Sequence, residues 1–186
     1  MAPCEGMVHL RRARETDAHG IADVHVRTWQ VAYRDQLPLP YLNALSVEVR
    51  ERYWATEVEM MPPERRPWVA ETGGQIVGFA AAGPTRDEAA VGDMTGEVYA
   101  IYVLPDCWDR GVGRNLLAHA EHDLLAHGYN DAVMWVLTDN QRARAFYEAA
   151  GWHPDGSTKH DTIGGREVDE VRYRIALQKS RVAELV

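Results

Sequence analysis

Cysteine is scarce in this chain: Cys4 and Cys107 are the only two. Two cysteines cannot build a disulfide framework, and neither sits in a metal-type pair. A reducing, cytoplasmic setting is the expectation. No apolar run reaches membrane-spanning length, and the first residues carry no apolar signal core, so no membrane partner is expected. There is no internal repeat and no low-complexity tract. Positive charge is also short: 20 Lys and Arg stand against 28 Asp and Glu, a net charge of −8. That balance argues against a nucleic-acid partner, which calls for a basic face. What remains is 46% hydrophobic and 26% charged over 186 residues. This is the composition of one globular domain, 1–186 with a core over 7–178, long enough to bury a sizeable interior.

The stretch EVYAIYVLPDCWDRGVGR, Glu97 to Arg114, organises the rest. Glu97 to Val103 mixes β-branched and aromatic residues without Gly or Pro and reads as a buried strand. Pro105 closes it. Gly111 and Gly113 then open a helix expected over Arg114 to His127, with Leu116, Leu117, Ala120 and Leu124 at helical spacing. Glycines at a helix start let backbone approach a ligand closely. The first helical N–H groups lack intrahelical partners, and the dipole favours anions there. Together these features describe a phosphate cradle, with Arg110 and Arg114 at its flanks.

Along the chain, Val8 to Arg12 reads as a strand. A helix capped by Thr16 or Asp17 follows to about Tyr33, with Trp29 and Tyr33 on one side. Leu37 to Pro40 breaks it. Ser46 caps a second long helix, Val47 to about Glu57. Trp68 to Glu71 and Gln75 to Ala82 form a hairpin around Gly73-Gly74. Gly83 to Gly96 reads as a mobile loop. Asp131 to Leu137 is a buried strand, and Gln141 to Ala150 is a helix ended by Gly151. A strand from Trp152, a polar connection near Asp155-Gly156, a turn at Gly164-Gly165 and an alternating strand, Glu167 to Leu177, complete the order. The pattern predicts an α/β fold: a mixed sheet with helices on both faces and a parallel crossover in the middle. A doubly wound nucleotide-binding domain would place its glycine motif after the first strand. Here the glycines follow residue 105.

These residues resemble the GCN5-related N-acetyltransferase (GNAT) family. The strand Glu97 to Val103 with Pro105 is similar to the family's fourth strand. Trp108 to Gly113 is similar to its (Gln/Arg)-x-x-Gly-x-(Gly/Ala) pyrophosphate loop, with Trp108 where Gln or Arg is usual and Asp109 beside the proposed phosphates. NQRARAFYEAAGW, Asn140 to Trp152, is similar to its Asn-x-x-Ala…Tyr-x-x-x-Gly-(Phe/Trp) segment. The resemblance implies a mostly antiparallel sheet with a parallel strand pair at the cofactor cleft. It implies acetyl-CoA as co-substrate, with no metal. The pantetheine arm would run beside Ile101, Tyr102 and Val103. The pyrophosphate would sit on the N–H groups of Arg110, Gly111, Val112, Gly113 and Arg114, with Asp109 also at the cofactor, and Asn140 would contact the arm. Tyr147 matches the tyrosine near the thioester sulfur. Trp29 and Tyr33 would border the acceptor.

The implied reaction is attack by a primary amine on the thioester within a ternary complex. An alkyl amine has a pKa of about 10.4, so about one molecule in a few thousand is neutral at pH 7, a handicap of about 4.6 kcal/mol. Glu97 is the candidate base, directly or through water. Tyr147 is the candidate acid or hydrogen-bond donor to the thiolate. No acyl-enzyme is needed, so Cys107 is not expected as a nucleophile. The alternative is an acyl-CoA-binding regulatory module that does not turn over. His119 and His122 lack a third metal ligand, and His160 with Asp161 is expected in a polar connection. The acceptor is a small-molecule amine or a peptide amine, and a homodimer stays open.

Overall fold

The computed structural model describes residues 6–87 and 94–178. Its strands are β1 (His9–Arg12), β2 (Trp68–Thr72), β3 (Gln75–Pro84), β4 (Thr95–Val103), β5 (Asp131–Leu137), β6 (His153–Ile163) and β7 (Arg166–Ala176). Its helices are α1 (Ala18–Ala32), α2 (Leu39–Asn43), α3 (Val47–Met60), α4 (Val112–Ala126) and α5 (Gln141–Ala149). The seven strands form one sheet in the order β1-β2-β3-β4-β5-β7-β6. Every neighbouring pair is antiparallel except β4 with β5. The expected mixed sheet with one parallel pair is therefore present. Among the described residues, no helix is long and apolar enough to cross a membrane.

Alternation along β3 sorts the helices onto two faces. Phe79 meets His25 of α1 and Trp54 of α3. A Cβ on its neighbour Gly78 would lie 3.0 Å from Leu116 of α4. So α1 and α3 cover one face and α4 the other. The periodic residues Ile21 and Val24 of α1 and Leu116, Leu117, Ala120 and Leu124 of α4 are buried, as their spacing requires. Full burial of each large aliphatic side chain contributes about 1.5–3 kcal/mol. Ser46 caps α3 as expected, its Oγ accepting from the Val49 N–H at 3.2 Å. Asp17 stands at the α1 N-cap but does not cap with its side chain. Its carboxylate instead takes the Arg11 guanidinium at 2.6 and 2.9 Å and the Arg14 N–H at 2.6 Å.

Three expectations need correction. Helix α4 begins at Val112, two residues before the expected Arg114, because Gly111 adopts φ +80° as its N-cap. The expected Gly83–Gly96 loop is shorter, since β3 continues through Pro84 and β4 starts at Thr95; residues 88–93 of it lie outside the described residues. The expected polar connection at Asp155-Gly156 lies within β6, as a register irregularity between Pro154 and Thr158. His160 is consequently a strand residue paired with Asp169.

The parallel seam is short. β4 and β5 pair only through Thr95–Asp131, Gly96–Ala132 and Glu97–Val133. Beyond Glu97 the strands part, although β4 runs to Val103 and β5 to Leu137. On its other side, β4 carries an extra residue at Tyr99, where the register with β3 shifts between Ala81 and Ala82. Such a bulge bends the strand just where it leaves β5.

Candidate active site

A cavity of about 670 Å³ occupies this opening, within the range of small-molecule and cofactor sites. Thr28 and Ala32 of α1 and Tyr33 at its C-cap line it together with Gly113 and Arg114 of α4 and Ala143, Phe146 and Tyr147 of α5. Because α1 and α4 lie on opposite faces, the cavity passes through the sheet. Its floor is the exposed edge of β4.

The edge can be read group by group. Leu104 N–H donates to the Val77 carbonyl at 2.8 Å. Backbone groups alternate sides along a strand, so those of Tyr102 also point at β3, and those of Ile101 and Val103 face the opening. The Val103 carbonyl is already taken, by Trp108 Nε1 at 2.7 Å and Thr28 Oγ1 at 3.1 Å. This leaves the N–H groups of Ile101 and Val103 and the Ile101 carbonyl for a ligand. The expectation of backbone contacts over Ile101 to Val103 thus narrows. Tyr102 contributes its side chain, which packs with His25, Trp29 and Phe79.

At the other end, Gly111 and Gly113 behave as a cradle requires. A Cβ on Gly111 would meet no atom within 4 Å, and one on Gly113 would find Phe146 only at 3.4 Å. Packing demands neither glycine. Gly111 is demanded by its positive φ, and both leave room at the α4 N-terminus, where N–H groups lack intrahelical partners. The group implied by the resemblance therefore fits these residues. Asp109 does not cap the helix. It sits at φ +60°, and its carboxylate pairs with Arg142 at 3.0 Å. Arg142 in turn lies over the Trp108 ring at 4.2 Å. Trp108 is thus a wall that also holds the Val103 carbonyl. Of the other loop residues, Arg114 lines the cavity, Arg110 does not, and the Val112 side chain is buried in the core.

Asn140 caps α5, its Oδ1 accepting from the Ala143 N–H at 3.1 Å, and its residue lines the cavity. Tyr147 is buried at 9% exposure and lines the same space. Burial, and then the neighbouring Tyr102, push its phenol well above its ordinary value. Tyr33 is raised likewise by burial and by Tyr102 and Tyr147. Trp29 does not line the cavity; it packs against Tyr33, edge on, and against His25. Burial and Arg50 lower the His25 imidazole to about 3. Cys107 is buried and disulfide-bonded, so it supplies no thiolate.

Glu97 sits outside the cavity lining, at the last paired position of the seam. Its carboxylate is buried and doubly held by Arg86, through the backbone N–H at 2.7 Å and the guanidinium at 2.7 Å. Among the described residues, no group of three or more His, Cys, Asp and Glu could hold a metal ion. A second cavity of about 280 Å³, bordered by Trp68, Tyr99 and Asp123, contains none of the expected site residues.

Sequence reasoning missed Thr28, Trp108, Arg142 and Phe146 as lining residues and Arg86 as the partner of Glu97. For Arg142 a signal existed: it is a cation in the first turn of the helix that Asn140 caps. For Thr28 and Arg86 there was none, because their contacts cross 75 and 11 positions of sequence.

The family model described as the Acetyltransferase (GNAT) family matches residues 19–152. The chain is 37% identical to an uncharacterized N-acetyltransferase of Bacillus subtilis, over 77% of this chain and 79% of that one. It is 30% identical to a probable N-acetyltransferase of Mycobacterium tuberculosis, over 90% of this chain and 93% of that one. Among solved structures, an N-acetyltransferase from Thermoplasma acidophilum in complex with coenzyme A has a similar fold, with a TM-score of 0.68 at 16% identity, covering 91% of this chain and 99% of that one.

Proposed function

Because the chain belongs to the acetyltransferase (GNAT) family and is an acetyl-CoA-dependent acyltransferase, we propose that it acetylates a primary amine by direct attack in a ternary complex. The observation that carries this reading is the cavity through the sheet. It has an unpaired strand edge on one side, an open helix N-terminus at one end and Tyr147 in its wall.

Acetyl-CoA supplies the acetyl group as a thioester. The N–H groups at the start of α4, with Arg114 nearby, hold the diphosphate. Ile101 and Val103 offer the edge of β4 to the amide-bearing arm. The Asn140 Oδ1 is committed to Ala143, so its NH₂ group is the part that faces the ligand. Glu97 lies just beyond the cavity lining, at the vertex, with both oxygens held by Arg86; with the Arg86 side chain drawn aside it receives the ammonium of the acceptor and accepts its proton directly or through water. Backbone N–H groups on the splayed edge donate to the carbonyl oxygen as it gains charge.

Tyr147 stands as a hydrogen-bond donor to the leaving sulfur. A thiol titrates near 8.5 and a phenol near 10, and burial raises this phenol further. Complete proton transfer to a thiolate is therefore uphill, whereas donation of a hydrogen bond is not. The buried tyrosine stays neutral and keeps its proton on offer.

The test is release of free thiol from acetyl-CoA with a panel of small amines and peptides, run for wild type and Tyr147→Phe, with coenzyme A binding followed by calorimetry. We expect Tyr147→Phe to lower kcat at least about tenfold while affinity for coenzyme A changes little. Tight binding without acetylation of any amine would favour a non-catalytic module instead.

A further inference from the structure

The arrangement around Glu97 bears on which amine is accepted. One residue occupies both carboxylate oxygens: the Arg86 N–H is on Oε2 and its guanidinium on Oε1. The Glu97 side chain is 5% exposed, but that of Arg86 is 64% exposed. The ion pair therefore has a buried anionic end and a cationic end in solvent. The guanidinium rests over the Tyr99 ring at 4.1 Å, and the Tyr99 hydroxyl donates to the Pro84 carbonyl at 2.5 Å. The neighbouring backbone is anchored separately. Asp87 accepts from Arg172 at 2.7 Å, and Arg172 also donates to Asp155 and Ser157, at 2.7 Å each. The long Arg86 side chain can withdraw while its backbone stays on Glu97.

Such a pair is the electrostatic complement of a zwitterion. A bare ammonium at Glu97 must displace Arg86, so one ion pair is lost for the one gained, and two like charges are brought together. An amine with a carboxylate on the next carbon makes both contacts. Its ammonium meets Glu97 and its carboxylate meets the displaced guanidinium, so no charge in the site is left without a partner. Arg also suits a planar carboxylate, which it can hold through two parallel hydrogen bonds.

We propose that the acceptor is a zwitterionic amine of the α-amino acid class, its ammonium bound by Glu97 and its carboxylate by Arg86. This rests on the acetyltransferase reading and narrows its acceptor. In the step itself, Glu97 takes one proton from the ammonium. The nitrogen lone pair forms the bond to the acetyl carbon, and the carbon–sulfur bond breaks with its electron pair going to sulfur. The second proton leaves nitrogen and ends on the thiol.

The experiment uses matched sets of an α-amino acid, its amide and its decarboxylated amine, for example phenylalanine, phenylalanine amide and phenethylamine, with acetyl-CoA and the full chain. The free acid should exceed its two counterparts in kcat/KM by about ten- to hundredfold, the scale of a charge-assisted contact. Arg86→Gln should bring the acid down to the level of its amide, and Arg86→Lys, which keeps the charge, should restore part of the preference. Coenzyme A affinity and the melting temperature of each variant check that the fold is intact. Equal use of acid, amide and amine by wild type, or an undiminished preference in a folded Arg86→Gln protein, overturns the assignment. Calorimetry on coenzyme A-loaded protein separates the two claims. Heat from the acids alone, without thiol release, sinks the transferase reading and leaves the acceptor class standing. Thiol released equally with all three compounds does the reverse. Neither heat nor thiol from any set overturns both.

Discussion

Gly111→Glu probes the cradle most directly. Position 111 is the N-cap of α4 at φ +80°, and a Cβ there points into space with no protein atom within 4 Å. The substitution therefore meets no clash inside the fold. Its cost to stability is the left-handed backbone, about 1–2 kcal/mol for a residue with a side chain. Its effect on binding is much larger. A carboxylate about 6 Å from a phosphate charge, at an effective dielectric of about 20, is repelled by about 3 kcal/mol, or about a hundredfold in affinity, before any steric overlap. Gly111→Asn is the control for backbone strain, since Asn tolerates the left-handed region. It adds bulk without charge and should fall between wild type and Glu. The assay is isothermal titration with coenzyme A on variants whose melting curves show a folded protein. A folded Gly111→Glu protein that binds coenzyme A within about threefold of wild type, a difference of under 1 kcal/mol, would refute the placement of the diphosphate at this helix end.

Asn140→Ala removes both the α5 cap and a candidate ligand contact. It should cost about 1 kcal/mol of stability and weaken coenzyme A binding. Asn140→Asp keeps the cap acceptor and should keep the melting temperature, yet still lose affinity, because the NH₂ donor is gone. His25, lowered to about 3 by burial and Arg50, makes the fold acid-sensitive. As pH falls below the ordinary value of about 6.5, the unfolded chain binds a proton at this imidazole that the folded chain refuses, so stability should fall by about 1.4 kcal/mol per pH unit from this group. Denaturant titrations of wild type and His25→Phe between about pH 6 and pH 4 should differ in slope by that amount. Arg172→Met breaks the buried junction of Asp87, Asp155 and Ser157. It should cost about 3 kcal/mol and lower the melting temperature by about 6–12 °C for a chain of this size.

Much of this architecture is written locally. The hairpin at Gly73-Gly74, the Ser46 cap, the stop at Gly151 and the spacing of Leu116, Leu117, Ala120 and Leu124 each depend on neighbours in sequence, and pattern reasoning reaches them. The order of elements then leaves few topologies open. The glycines at 111 and 113 were legible because a missing side chain is itself the signal. The site's polar partners were not. Whether Glu97 faces water, a substrate or a cation depends on where the segment after β3 returns, and no periodicity encodes that. The side chain of Asp109 was not legible for a related reason: a short acid before a helix is normally a cap, but at φ +60° its carboxylate pairs with Arg142 instead. The division of labour along β4, with Tyr102 turned to its neighbour strand and Ile101 and Val103 to the opening, needed one fixed hydrogen bond, Leu104 to Val77, to set the phase.

The short seam between β4 and β5 has a mechanical consequence. Among the described residues, three residue pairs, continued by the Asn130 N–H on the Met94 carbonyl at 2.8 Å, stitch the leaf made of β1 to β4 to the leaf made of β5, β7 and β6 by main-chain bonding. Below that stitch the molecule carries two raw strand borders facing one another. An extended molecule with its own amide groups, laid along one border, would act as a partial extra strand and fill the gap between the leaves. Deuterium uptake at the Ile101 and Val103 amides should then slow sharply when coenzyme A is added, while the amide of Tyr102, already spoken for by β3, should hardly notice.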